Sequence, residues 1–98
     1  VTPTPNLSLV LDDNFFNPRT KPLGMDVKVD SAGEVKVMVF NMAGEQVVKL
    51  LDQNEGAGNY RVFWDGRNQN GAMVGNALYL VVITQPSGKL IQKVIVLK

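Results

Sequence analysis

Apolar and polar residues alternate along most of this chain with a period of two, the spacing that turns one face of an extended strand to a core and the other to solvent. Leu7, Leu9 and Leu11 alternate with Ser8, Val10 and Asp12, predicting a first strand. The segment Asp13-Asn14-Phe15-Phe16-Asn17-Pro18 reads as a polar corner that encloses two aromatics and is closed by proline. Leu23, Met25, Val27 and Val29 then alternate with Gly24, Asp26, Lys28 and Asp30, and after Ser31-Ala32-Gly33 the pattern resumes at Val35, Val37 and Val39. Two matched strands across a three-residue loop containing Gly predict a hairpin. Met38 and Phe40 add apolar side chains opposite the valines, so this strand is expected to be covered on both sides.

Asn41-Met42-Ala43-Gly44-Glu45 supplies the next turn. The apolar positions of 46–51 also fit a helical face, but a segment this short between two Gly-bearing loops cannot hold a helix, and a strand is predicted. Residues 52–58 read as a polar loop, 60–64 as a strand, 66–75 as a long turn region and 77–85 as an apolar central strand. Pro86-Ser87-Gly88-Lys89 turns the chain into a last strand over 90–97. About seven short strands with regular turn signals and no helix predict an all-β fold: an immunoglobulin/fibronectin III-like antiparallel β-sandwich.

Composition narrows the function classes. With 98 residues the chain is expected to form one domain over 7–98, behind the end of a Thr/Pro-rich linker at 1–6. The start Val1-Thr2-Pro3-Thr4-Pro5 has the look of an excised fragment and lacks the features of a signal peptide. No apolar stretch approaches the roughly 18 residues of a membrane span. A net charge of +1 with scattered Lys and Arg speaks against nucleic acid, which calls for a clustered basic face. Without cysteine or histidine there is no disulfide, no Cys/His zinc site and no His-based triad.

The remaining candidate chemistry is sparse. If Gly71 were the sixth residue of an EF-hand-type calcium loop, the first ligand would fall on Gly66, which has no side-chain oxygen. The closing bidentate Glu would fall on Ala77. A structural turn rich in Asn and Gly is the better reading, and no metal or cofactor is expected. Asp12 and Asp13 are adjacent carboxylates, but neighbours in an extended segment point to opposite faces, and glycosidase pairs must face each other. Tyr60, Phe63, Trp64 and Tyr79 could stack on sugars, yet alternation puts Tyr60, Val62 and Trp64 on one face, as a core would. Asn6-Leu7-Ser8 matches the glycosylation triplet, a pattern common by chance. An intramolecular Lys–Asn crosslink would need a buried Lys, whereas Lys28 and Lys36 alternate outward. No catalytic residues are expected.

Several short motifs follow one another in a fixed order. They are Asn14-Phe15-Phe16-Asn17-Pro18, Val35 to Phe40 with Asn41-Met42-Ala43-Gly44-Glu45-Gln46-Val47, Gly58-Asn59-Tyr60, and Trp64-Asp65-Gly66 with Gly71 beyond. From about Asp13 to Lys98 the chain resembles the immunoglobulin-like domain of the flagellar hook-capping protein family. Asn17, Pro18, Gly44, Tyr60, Trp64, Asp65, Gly66, Gly71 and Tyr79 are its fold markers in this sequence. Ala77-Leu78-Tyr79 and the tail from Gly88-Lys89 to Lys98 are similar to C-terminal sorting domains of type IX secretion, with Lys93 and Lys98 bracketing a sorting tail. Ala77 stands where those domains usually carry Gly. The resemblance implies a non-catalytic C-terminal module of a secreted or cell-surface bacterial protein, serving as spacer, attachment or sorting domain. Its partners would be other domains of the same polypeptide, secretion machinery or surface components. A carbohydrate-binding module of a secreted glycosidase and an assembly domain of a flagellar or fibre cap are the alternatives.

Overall fold

The structure, a computed structural model, describes residues 8–98, so the expected linker at 1–6 and Asn6 of the glycosylation triplet lie outside the described residues. The alternating segments form eight strands: β1 (Ser8–Leu11), β2 (Phe15–Phe16), β3 (Leu23–Val29), β4 (Gly33–Phe40), β5 (Gln46–Glu55), β6 (Gly58–Trp64), β7 (Ala77–Gln85) and β8 (Gly88–Val96). One sheet has the order β1-β3-β6 and the other β2-β8-β7-β4-β5. The all-β sandwich expected from the alternation is what forms.

Three expectations about pairing need correction. The segments around Ser31-Ala32-Gly33 do not form a hairpin: β3 pairs with β1 and β6, whereas β4 pairs with β5 and β7 in the opposite sheet. The short connection steps between layers, and the inward faces of β3 and β4 meet across the core instead of side by side. Residues 52–55 are not a loop, because β5 stays paired with β4 as far as Glu55 opposite Gly33. The Phe15-Phe16 corner contributes an extra strand, β2, which runs parallel to β8 with Phe15 opposite Ile95 and Phe16 opposite Val96.

Met25, Val35, Val37, Val39, Trp64, Val81, Ile83, Val94 and Val96 are fully buried between the layers. Each such Val or Ile removed from water contributes about 1.5–3 kcal/mol. Met38 and Phe40, expected to be covered, lie on the outer face and are half-buried. At one end of the sandwich Gln85, the buried polar residue among the described residues, links the layers. Its Nε2 donates to Lys28 O at 3.1 Å and its Oε1 accepts from Asp30 N at 3.2 Å.

Candidate functional site

At the other end of the sandwich, β6 finishes at Trp64 and the chain turns through 65–76 before entering β7. Trp64 is fully buried. Its ring is tilted against Phe16 at 5.4 Å between centroids and edge-on to Tyr79 at 5.5 Å. The indole N–H, which could not be left unpaired there, donates to Arg67 O at 3.0 Å. Asp65 Oδ1 accepts from Arg67 N at 3.1 Å, closing the first bend. Gly66 follows with φ 78° and lies against the Pro18 ring, into which a Cβ would collide. Pro18 is held in turn by the bend of Asn17, whose Oδ1 accepts from Arg19 N at 3.0 Å and whose carbonyl accepts from Thr20 N at 2.9 Å.

The rest of the turn is closed by its own backbone. Val74 N donates to Gly66 O at 2.8 Å, and Arg67 and Met73 form an isolated bridge. Asn68 Oδ1 accepts from Asn70 N at 2.9 Å and Ala72 N at 3.0 Å, while Gly71 N donates to Asn68 O at 3.0 Å. The turn between β4 and β5 repeats this arrangement. Asn41 Oδ1 accepts from Ala43 N at 3.0 Å and Glu45 N at 2.9 Å, and Gly44 N donates to Asn41 O at 3.1 Å. Gly44 and Gly71 have φ 84° and 83°. The shared spacing, Asn followed three residues later by Gly, is visible in the sequence at 41–44 and 68–71, and its recurrence is a signal that reading each turn separately overlooks.

The twin turns lie side by side. Gln69 N donates to Val47 O at 3.1 Å and Gln46 Nε2 to Gln69 Oε1 at 2.8 Å. Between them runs an open groove of about 460 Å3, with Asn41, Glu45, Gln69, Asn70 and Tyr79 among its lining. Its side-chain oxygens at Asn41 and Asn68 are already occupied by backbone amides, so the groove has a mostly committed polar lining. Tyr79 donates its hydroxyl to Gly75 O at 2.9 Å, and burial raises its pKa.

The candidate stacking residues are separated. Trp64 and Tyr79 are core, Tyr60 is half-buried with its hydroxyl on Gly56 O at 2.5 Å, and Phe63 is 56% exposed on the outer face of the three-stranded sheet. Phe63 there lies 5.2 Å from the guanidinium of Arg61. Asp12 is drawn into the same cluster, bound by both Nη atoms of Arg61 at 2.9 and 2.5 Å, with Asp26 accepting at 3.0 Å. That ion pair orients Asp12 as a structural anion. Lys93 is exposed on β8, and Lys98 N donates to Asn76 Oδ1 at 2.9 Å. Among the described residues no three of His, Cys, Asp and Glu gather as a metal site would require.

The FlgD Ig-like domain family model matches residues 18–93. FlgD from P. aeruginosa superposes on the chain with a TM-score of 0.56 at 16% identity, over 87% of this chain and 64% of that one. PorZ of Porphyromonas gingivalis, an essential bacterial surface component of the type IX secretion system, superposes with a TM-score of 0.59 at 14% identity, over 95% of this chain and 12% of that one. At such identities the likeness shows the fold. No curated protein matches the chain.

Proposed function

The chain belongs to the FlgD Ig-like domain family, and from that premise we propose that it is a non-catalytic module of an exported bacterial protein, working as spacer, surface attachment or sorting domain. The observation that carries this reading is the inward commitment of the Trp64 corner. Its ring, its N–H and the side-chain oxygens of the adjoining turn are all used by the fold. In this reading Asn17, Pro18, Gly44, Tyr60, Trp64, Asp65, Gly66, Gly71 and Tyr79 serve architecture. The tail from Lys93 to Lys98 is the segment a sorting machinery would read, with Lys93 exposed beside it. Localisation at the bacterial surface follows from this reading and is supported by the role of PorZ as a surface component of type IX secretion.

The test is deletion of residues 7–98 from the complete gene product in its own bacterium. The expected result is loss of the extracellular or surface location, with the activity of the remainder unchanged in a lysate. An unchanged location together with a lost activity would contradict the proposal.

The family membership also supports a second reading, assembly within a flagellar or fibre cap. Sedimentation of the 98-residue chain discriminates: concentration-dependent oligomers favour assembly, and a monomer at high concentration counts against it.

A further inference from the structure

The outer faces of the two sheets differ in kind. On the three-stranded sheet, residues opposite one another put Gly24 and Phe63 in one row, Val10, Asp26 and Arg61 in the next and Lys28 with Asn59 in a third, so the exposed apolar side chains Val10 and Phe63 stand among charged and polar neighbours. Directly paired residues share a face, so the pairings of the five-stranded sheet define its outer surface row by row. The first row is Phe15, Ile95 and Leu78, the second Lys93, Leu80 and Phe40, and the third Ile91, Val82 and Met38. Eight of these nine side chains are apolar. Phe15, Ile91 and Ile95 are 58%, 51% and 42% exposed. Val82 is buried, yet it stands apart from the core cluster, because its neighbours on this outer face are what cover it. The unbroken apolar run Leu78 to Ile83 is the composition of a strand covered on both sides, whereas the described residues cover only one.

We propose that this outer face is a docking surface for another domain of the same polypeptide, one with an apolar centre and carboxylates opposite Lys89 and Lys93. The inference rests on reading the chain as a spacer or attachment module of a larger protein, because a sorting machinery would need the tail from Lys93 uncovered. Charge argues against a second copy as the occupant. The outer face carries Lys36, Lys49, Lys89 and Lys93 against Glu34 and Asp52. Both acids are already paired, Glu34 with Lys36 and Asp52 with Lys49, each at 3.0 Å. Among the described residues Lys89 and Lys93 take part in no ion pair. Two such faces brought together would oppose lysine-rich surfaces, while an acidic rim would match them. Size argues the same way. The nine positions, three per row, cover roughly 300 Å2 in projection at the usual strand spacing, well below the roughly 800 Å2 that one partner contributes to a stable free complex. Counted on both partners it reaches the lower end of the roughly 600–1,500 Å2 found between domains joined in one chain, where the tether supplies a high effective concentration.

The absence of cysteine makes the face easy to probe. Ile91→Cys and Ile95→Cys report on it, and Phe63→Cys, on the other sheet, is the control. Alkylation by iodoacetamide is compared between the 98-residue chain and the complete polypeptide, after circular dichroism has established that each variant is folded. The expected result is alkylation slowed by at least about tenfold at positions 91 and 95 in the complete polypeptide, with position 63 unaffected. Adding Lys89→Glu and Lys93→Glu should restore the fast rate. Equal rates in the two contexts overturn the docking face and leave the module reading standing. Protection that survives the charge reversal overturns the acidic partner. Protection that appears in the 98-residue chain on raising its concentration, or on adding phosphatidylglycerol vesicles, assigns the face to a second copy or a membrane and overturns the proposal. A gene product with no further domain removes the module reading, and this inference with it.

Discussion

Gly66 turns the chain with φ 78° directly against the ring of Pro18, tying the corner after β6 to the bend before β3. A Cβ at position 66 would lie 2.9 Å from Pro18 Cγ, in a backbone region that L side chains rarely adopt. Gly66→Ala is expected to destabilise the domain by about 1–3 kcal/mol in urea unfolding, from the φ cost together with the collision. Pro18→Gly on that background should recover the collision and leave the φ cost. Strictly additive losses would mean that the two residues do not meet.

Trp64 fills the space between Phe16 and Tyr79 at this end of the core. Trp64→Ala should cost about 3–5 kcal/mol, as for other large core aromatics. A loss below about 1 kcal/mol would mean an exposed ring and would revive the stacking platform.

Gln85 joins the two sheets through Lys28 O and Asp30 N. Gln85→Leu keeps the volume and strands both backbone groups, so a loss of about 1–3 kcal/mol is expected. Hydrogen exchange at Asp30 N should accelerate more than at residues near Trp64.

Much of this architecture was legible in the sequence, for reasons that differ by element. Alternation located β3, β4, β6, β7 and β8, because burial on one face of a strand leaves a period of two. Trp64 was readable as core from its place beside Tyr60 and Val62 on that alternation. Pairing partners were not readable. Ser31-Ala32-Gly33 has the length and composition of a hairpin loop, and nothing local records that it crosses between layers. β5 continues through polar residues 52–55 because backbone pairing to β4 holds them, not side-chain burial. The link from Gln85 to β3 was invisible for the same reason, since it joins residues that only the completed sandwich brings together.

Acid should weaken the Arg61 cluster. The hydrogen bonds from Arg61 hold the Asp12 carboxyl below the usual carboxylate range, assisted by coulombic attraction and opposed by desolvation. Because this carboxyl is more acidic in the folded state than in the unfolded one, its contribution is present above the unfolded pKa. It is lost as pH falls through the folded pKa. Asp12→Asn should therefore flatten the acid side of the stability–pH curve measured by urea unfolding. High salt should shrink the difference, since the pair is exposed.

Trp64 is the chain's single tryptophan, so its emission reports on the corner alone. A titration of the folded chain with soluble polysaccharides, followed by the wavelength and intensity of that emission, tests most directly whether the corner is architecture or a ligand loop. The predicted result is a blue-shifted emission that stays unchanged throughout the titration. A red-shifted emission that shifts or quenches in a saturable way would contradict it.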